Sequence, residues 1–574
     1  MKTKMEIVRG MQFDNKIGRL AMLKEMWDEC YTANQQMQEV AKESHEFYVG
    51  NQFNDGELTA ITNKKMTPMV YNIIQKNVNY MVGVCEMNKN RAKVVPYEFN
   101  DSDNANILDM ILDQSMQKCN AYVKTVMAYK DANLGGLGYL IAYMDYDRDL
   151  INGELRIEFE PYSNVWVDPT VKEKDFSDAR YLIIRKAVDE NIMILRHPEF
   201  EDAIKASSKD YKSDPNVMEE TGLKGLVSVK EYWFKEIEKV YHVYDGQNIT
   251  KFNKKEYEEN KEEILARIDG DEEKIIEVNS YVYKYSVVIN DSILVYDGYS
   301  PYGDNYFPIV PFIGFCDMSA DQLKKKFFGL IEVLKDVQRD KNRNKVNRRY
   351  AQNASLHSGW FVTKGSVDST NQLKIGMGMQ IVETNPNVAD PRRIPLPQYP
   401  QYLFNEEDKN DQDRLTIGLN ADALGVGASS VDSSKAISLR QQTSMTTVAE
   451  IPAHYSVALR RLAKICLDMI MQSITADKIK RIVGTNYEFD ETVFNSLIER
   501  EYDVVIDESS LNPSHKMQVI NQLSEYMQYS GQPVPLDLYL QFTEIDPALR
   551  KAFMMNMQKQ QATAQPPAPP QTMQ

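Results

Sequence analysis

The N-terminal quarter of the chain is patterned for helices. Apolar side chains recur every three or four positions along 16–48, 71–84 and 104–134, which places them on one side of a helix. The sequence therefore predicts three helices, with a loop around 50–56 after the first. The apolar positions of the first helix are Ile17, Leu20, Met22, Leu23, Met26, Trp27, Cys30 and Tyr31.

After the glycine run at 135–138 the pattern changes from helical to alternating. Residues 139–146 and 154–160 are predicted to pair as a hairpin, because Asn152-Gly153 is a strong turn signal. Residues 165–167 and 181–186 are predicted to extend that sheet.

A second strand-rich block is predicted over 227–299. Residues 281–289 alternate, turn at Asn290-Asp291 and return over 292–296. The Lys/Glu-rich run 251–274 is predicted to form a solvated helix between strands.

The C-terminal part is again mainly helical. Residues 321–352 contain no proline and are predicted to form one long helix, followed by a short β-like region and a second helix at 401–418. A further helix is predicted over 435–475. Pro452 should kink it, because proline lacks a backbone N–H and clashes with the carbonyl of Val448. A strand at 502–506, helices at 514–529 and 535–556 and a disordered Pro/Gln tail complete an α+β, helix-rich fold.

Charge is distributed unevenly along the 574 residues. The net charge is −16, which argues against a protein that coats DNA. Yet 324–349 contains ten Lys/Arg against three acids, a local net charge of +7, and its second half is polar nearly all round. Such a helix needs partners other than a private core. Three interpretations are compatible with it: a solvated helix face, DNA contact, or pairing with the acidic helix 401–418 of the same or a neighbouring subunit.

No motif for catalysis, metal binding or a cofactor is present. The closest match to a phosphate loop, at 425–430, lacks the required lysine, and the run 145–156 lacks the Gly and Glu of an EF-hand. The six histidines are far apart in the sequence. The five cysteines are also spread singly, which is typical of free thiols in a reducing compartment. Because these motifs are missing, we expect a non-enzymatic protein without metal or cofactor. Because there is no signal peptide and no apolar run of membrane length, we also expect no membrane contact.

The order of these elements resembles that of the portal proteins of tailed bacteriophages, especially the short-tailed branch. The resemblance spans about 15–555 and is carried by matching segments in the family's order. These segments are Phe47-Tyr-Val-Gly-Asn-Gln-Phe, Tyr71-Asn-Ile-Ile-Gln-Lys-Asn-Val-Asn-Tyr-Met-Val-Gly, Asn90-Arg-Ala-Lys-Val-Val-Pro, Asp131-Ala-Asn-Leu-Gly-Gly-Leu-Gly-Tyr, Val167-Asp-Pro, Asp175-Phe-Ser-Asp-Ala-Arg-Tyr, Phe328-Gly-Leu-Ile-Glu-Val-Leu-Lys-Asp-Val-Gln-Arg-Asp-Lys-Asn, Ser434-Lys-Ala-Ile-Ser-Leu-Arg-Gln-Gln and Tyr502-Asp-Val-Val-Ile-Asp.

The resemblance implies a division of the subunit into wing, stem, clip and crown. The implied regions are a wing body (1–320), a first stem helix (321–352), a clip (353–400), a return stem helix (401–419), a tunnel loop (420–434), a long kinked wing helix (435–475), a crown (476–556) and a disordered tail (557–574). Because the chain ends in a Pro/Gln tail, we do not expect the long C-terminal barrel that some short-tailed phage portals carry.

The predicted functional residues fall in three groups and one kink position, Pro452. The tunnel loop, which the resemblance places nearest DNA, offers Asn420, Asp422, Gly425, Gly427, Ser429, Ser430, Asp432, Ser434 and Lys435. The basic stem helix offers Lys335, Arg339, Arg343, Arg348 and Arg349. The acidic stem helix offers Glu406, Glu407, Asp408, Asp411 and Asp413.

The resemblance also implies a role and partners. It implies a dodecameric ring at one capsid vertex, assembled in the host cytoplasm, through which double-stranded DNA is packaged and ejected. The expected partners are the major capsid protein, scaffold, the terminase large subunit and head–tail adaptors. The alternatives are a metal-dependent nuclease that uses scattered Asp/Glu, and another head–tail structural protein.

Overall fold

The computed structural model describes 13–64, 66–87, 91–96, 102–147, 149–210, 225–244, 249–268, 274–303, 306–356, 360–367, 384–394, 446–475, 478–479 and 502–506, together with 526 and 529. These residues form a mixture of helices and antiparallel sheets. The α+β class predicted from the sequence is therefore confirmed, and the finer division into wing, stem, clip and crown stays a prediction.

The N-terminal part packs helices around one short strand. Its elements are α1 (Phe13–Val49), α2 (Asp55–Asn63), α3 (Ile74–Met87), β1 (Ala92–Pro96), α4 (Ser102–Lys118) and α5 (Ala121–Gly135). The first predicted helix is confirmed. The predicted loop around 50–56 instead leads into α2, which begins with a capping box between Asn54 and Glu57.

The single helix predicted over 104–134 is wrong, because α4 and α5 are separate. Asn120 lies between them with a φ of 53°, in the left-handed region that asparagine tolerates better than most residues. Apolar spacing continues on both sides of the break, so periodicity alone does not reveal it.

A small antiparallel sheet has the strand order β10–β2–β3. Its strands are β2 (Leu137–Asp145), β3 (Glu154–Glu160) and β10 (Ile309–Ile313). The predicted hairpin around Asn152-Gly153 is confirmed by the pairing of β2 with β3. Gly136 ends α5 with a φ of 99°, and a side chain on Gly138 would collide with the carbonyl of Ala128. The glycine run therefore stops the helix and lets β2 approach its backbone.

The larger sheet has the order β4–β5–β6–β8–β9, with β7 paired to β6. Its strands are β4 (Val165–Val167), β5 (Tyr181–Asp189), β6 (Leu226–Tyr244), β7 (Ile249–Asn253), β8 (Ile275–Ile289) and β9 (Ile293–Tyr299). Sequence analysis placed 165–167 and 181–186 in the first sheet, and this is wrong. The alternating pattern shows that a segment is a strand but does not name its neighbour.

The turn from β8 to β9 lies where it was predicted. Asn290 and Asp291 have φ values of 47° and 58°, which matches the two left-handed positions of a tight hairpin turn. The solvated helix predicted over 251–274 is only partly right, because β7 occupies its beginning. The helices associated with this sheet are α6 (Glu190–Arg196), α7 (Glu201–Asp210), α8 (Lys254–Glu259) and α9 (Lys261–Arg267).

The remaining elements return to the N-terminal part. They are β11 (Phe315–Cys316), α10 (Leu323–Lys326), β12 (Phe327–Phe328), α11 (Leu330–Leu356), β13 (Trp360–Phe361), β14 (Arg392–Arg393), α12 (Glu450–Ser473) and β15 (Tyr502–Ile506). The predicted late strand is confirmed as β15, which pairs with β1.

The single helix predicted over 321–352 is wrong at its beginning, where β12 and Gly329 separate α10 from α11. A side chain on Gly329 would collide with the carbonyls of Asn133 and Leu134 at the end of α5. The chain therefore begins α11 in direct backbone contact with α5.

Among the described residues, the largest apolar core is centred on α12. It collects residues from α3, α4 and α5 and from the paired strands β1 and β15. Ile451, Leu459 and Leu462 are fully enclosed. Burying each such side chain stabilises the fold by about 1.5–3 kcal/mol. The buried side of α12 is broad, as the apolar residues after Pro452 indicated.

Candidate functional site

The basic helix α11 rests on the N-terminal part through buried side-chain amides. The Tyr71 backbone N–H donates to Asn342 Oδ1 (3.0 Å), and Gln338 Nε2 donates to the Tyr71 carbonyl (2.6 Å). Asn342 Nδ2 in turn donates to Gln52 Oε1 (2.6 Å), and Gln52 Nε2 reaches the Phe47 carbonyl. These amides are almost fully buried, so the polar side of α11 is specified by hydrogen bonds rather than by apolar packing.

Two of the predicted basic residues share one carboxylate of α1. Lys335 Nζ lies 2.8 Å from Glu43 Oε2 and 2.7 Å from Glu332 Oε2, and Arg339 also pairs with Glu43. The Lys335 side chain is only 5% exposed, so these two carboxylates take the place of the water that its ammonium would contact in solution. The guanidinium of Arg339 also lies over the Phe47 ring, 5.0 Å from its centroid.

Arg343 binds Glu57, the glutamate of the capping box of α2. Its Nε and Nη2 lie 3.0 and 2.6 Å from Glu57 Oε1. Glu57 also closes the capping box of α2 by accepting a hydrogen bond from the Asn54 N–H. One carboxylate therefore ties the start of α2 to the middle of α11.

The pKa values of both carboxyls respond to these cations. Burial opposes ionisation of Glu43, but the hydrogen bonds and charges of Lys335 and Arg339 outweigh it and lower the pKa. Burial likewise opposes ionisation of Glu57, and its bonds to Arg343 and to the Asn54 backbone bring the pKa below its ordinary value. Both carboxylates are therefore ionised at neutral pH.

The structure brings Lys335, Arg339 and Arg343 together with acids of the same chain that sequence analysis did not name. Arg348 and Arg349 lie further along α11, and Arg349 is exposed. The predicted acidic partners, Glu406, Glu407, Asp408, Asp411 and Asp413, lie outside the described residues. Pairing between them and α11 stays a prediction.

The whole tunnel-loop group, from Asn420 to Lys435, also lies outside the described residues. So do most of the clip and nearly all of the C-terminal helices and tail. Pro452 is described and lies in the first turn of α12, after a 3₁₀ turn at Thr446–Val448. There its missing N–H would have no helical partner in any case. The helix predicted from 435 thus becomes regular only at Glu450, and 435–445 lie outside the described residues.

A second cluster was missed by sequence analysis. Cys316 of β11 lies beside Glu450 and His454 of α12, with the Lys174 ammonium 2.8 Å from His454 Nε2. The i,i+4 spacing of Glu450 and His454 was a readable signal, since such residues are neighbours on a helix. Cys316 precedes His454 by 138 positions, so nothing in the sequence pattern could have joined them.

No helix among the described residues combines the length and apolar character needed to cross a lipid bilayer. Lys335, Arg339 and Arg343 of α11 hold α11 against α1 and α2 through Glu43 and Glu57. The chain belongs to the phage P22-like portal protein family, whose family model matches residues 24–574. No curated protein matches it. The family is a structural one, and the match supports the resemblance to short-tailed phage portals.

Proposed function

We propose that the chain is the subunit of a dodecameric portal ring at one capsid vertex, through which double-stranded DNA is packaged and ejected. The observation that carries this proposal is the portal family match, which extends over nearly the whole chain. By the same membership, the ring would contact the major capsid protein and scaffold, and would dock the terminase large subunit and head–tail adaptors. It would assemble in the host cytoplasm and remain in the virion.

The charge distribution supports passage of DNA rather than storage. Lysine and arginine contacts to phosphates give a salt-dependent grip on DNA. Lys335, Arg339 and Arg343 are instead engaged by Glu43 and Glu57 of their own chain. With these cations neutralised in an overall acidic chain, duplex DNA would move with little sequence-independent retention.

Imaging of purified protein tests the function. We expect rings with twelve-fold symmetry by negative-stain microscopy, and no cleavage of duplex DNA with Mg²⁺ or Mn²⁺. Metal-dependent cleavage by a monomer would favour the nuclease alternative. A ring that cannot restore DNA packaging to portal-deficient capsids would favour another head–tail structural role.

The loop 420–434 is proposed as the part of the subunit nearest DNA. The proposal rests on composition, since glycine and serine, here Gly425, Gly427 and four serines, are residue types that favour loops. Deleting 429–431 should leave rings intact and impair packaging, and replacing the same three residues by Gly-Ser-Gly serves as the length-matched control. Loss of rings after the deletion would instead assign the loop a structural role.

Contact between neighbouring stems is proposed to involve the distal part of α11 and the acidic segment 401–418. Arg339 and Arg343 are poor probes, because their reversal would also break bonds within the chain. Reversing the exposed Arg349 to Glu should weaken the ring, most at low salt, where Coulomb interactions are strongest. Reversing the exposed Lys325 gives the same charge change as a control. Rings of the Arg349 variant that stay intact at low salt would contradict this pairing.

A further inference from the structure

The cluster around Cys316 has the donor set of a transition-metal site. It combines one thiol, one carboxylate and one imidazole, and all three ligand atoms lie within 4.8 Å of one another. Zn²⁺ binds these donors in proteins, and sites with three protein ligands leave the fourth position to solvent. Cys316 lies in β11, whereas Glu450 and His454 lie on the first turns of α12.

The spacing of the donors matches a tetrahedral ion. Cys316 Sγ lies 3.5 Å from Glu450 Oε1 and 3.6 Å from His454 Nε2, and that nitrogen lies 3.6 Å from Glu450 Oε1. Tetrahedral angles with Zn–S of about 2.3 Å and Zn–N or Zn–O of about 2.0–2.1 Å give about 3.5–3.6 Å from sulfur to either lighter atom and about 3.3–3.4 Å between nitrogen and oxygen. The three atoms thus lie near the corners of one face of such a tetrahedron, and only the nitrogen–oxygen edge must shorten slightly.

The orientation of the imidazole is also set for a ligand. His454 Nδ1 donates a hydrogen bond to the Gly314 carbonyl (2.8 Å), because that oxygen can only accept. This bond fixes the tautomer in which Nε2 carries the lone pair and faces the cluster. Metal-bound histidines in proteins are held by such a second hydrogen bond. His454 is also buried, which restricts the ring to this position.

A cation already lies among these donors. The Lys174 ammonium is 2.8 Å from His454 Nε2, on the side of the ring that faces Cys316 and Glu450. Lys174 belongs to the exposed turn between β4 and β5, so its flexible side chain can leave without disturbing the core. A carboxylate and a thiolate together would balance the charge of a divalent ion better than that of one ammonium.

We propose that Cys316, Glu450 and His454 bind a thiophilic divalent cation of the Zn²⁺ class, which displaces the Lys174 ammonium. The thiol proton of Cys316 passes to solvent as the metal–sulfur bond forms, and water completes the coordination. The ion would fasten the first turn of α12 to β11, the strand that pairs with β12 just before α11. The site is independent of the proposed portal function, since it concerns the folding unit of one chain.

Titration of the full-length, chelator-treated protein with Co²⁺ tests the site, because a thiolate ligand gives a near-ultraviolet charge-transfer band. We expect one Co²⁺ per chain, with that band and the visible absorption of a tetrahedral ion, both abolished when Zn²⁺ is added. Cys316→Ser should remove the charge-transfer band and weaken binding by about tenfold or more. Cys85→Ser, which changes another partly buried thiol outside the cluster, should leave both unchanged.

Lys174→Gln separates the metal site from a purely internal ion cluster. If the ammonium competes with the metal, its removal should strengthen Co²⁺ binding several-fold while circular dichroism stays the same. Absence of a thiolate band in both the wild type and Lys174→Gln would overturn the proposal and leave Lys174 as the resident cation. A band that survives in folded Cys316→Ser would overturn it as well.

Discussion

α12 and the middle of α11 attach to the same body by different means, although the first turns of α11 also bury Leu330, Ile331 and Leu334 in the apolar core. α12 buries a broad apolar face that includes Leu459, Leu462 and Ile465. α11 buries Gln338 and Asn342 and holds its cations against Glu43 and Glu57. Apolar burial is non-directional and nearly independent of salt, whereas hydrogen bonds and ion pairs require particular partners. α12 is therefore held mainly by buried apolar area, whereas the middle of α11 is held by particular polar partners.

Truncating the apolar attachment should have the largest effect. Leu462→Ala leaves a cavity in the core around α12 and should lower the free energy of unfolding by about 2–5 kcal/mol. Urea denaturation at low and high salt should give the same loss, because no charge is involved. Arg460→Ala on the exposed side of α12 is the control. A loss below that of the control would show that α12 is not attached by its apolar face.

Removing one amide from α11 should come next. Asn342→Ala leaves the Tyr71 N–H and the buried Gln52 and Gln338 side chains short of a partner. An unsatisfied buried polar group costs about 1–3 kcal/mol. Asn347→Ala, at an exposed position five residues further along the helix, serves as the matched control in the same denaturation experiment. Equal stability of the two variants would contradict the role of the buried amides.

Glu43→Gln should cost less, about 1–2 kcal/mol, because Glu332 remains to pair with Lys335. The folded pKa of Glu43 lies below its ordinary value. Its stabilising effect is therefore complete above the unfolded value of about 4.3 and is lost as pH falls through the folded pKa.

The difference between wild type and Glu43→Gln should be measured by denaturation from pH 7 downwards. It should shrink below about pH 4, and at neutral pH it should also shrink in high salt. Glu39→Gln, exposed one turn earlier on α1, is the control. A difference that is constant across this pH range would show that the charge of Glu43 is not what holds α11.

The smallest effect is expected for Arg343→Gln. Its ion pair with Glu57 is half-exposed, and such pairs contribute about 0.2–1 kcal/mol. Lys325→Gln provides an exposed control of the same charge change. A loss as large as that of Leu462→Ala, measured in the same buffer, would reverse the proposed ranking of the two attachments.

The same contrast explains how much of the fold was predictable. Local patterns gave α1, the β2–β3 hairpin and the Asn290-Asp291 turn, because each is determined by neighbouring residues. The partner of β15 could not be predicted, since Val504 pairs with Val94 from the other end of the chain. An alternating pattern predicts a strand but does not identify the strand with which it pairs.

The candidate site was harder to predict for a related reason. The sequence indicated that the basic helix needs partners, with DNA or acidic residues as the alternatives. For acidic partners, any of 83 Asp and Glu residues satisfies a rule based on charge alone. The structure selects Glu43 and Glu57 because α1 and α2 pack beside α11. Cys316 and His454 likewise meet only because β11 and the start of α12 are folded together.

Gly329 gives the joint between α5 and α11 a mechanical character. Its backbone touches the last carbonyls of α5, and no side chain lies between the two segments to act as a cushion. Closely packed interiors have low compressibility and transmit strain. A force applied along α11 would therefore move the end of α5 as well, because no compressible side-chain layer separates the two backbones at this joint.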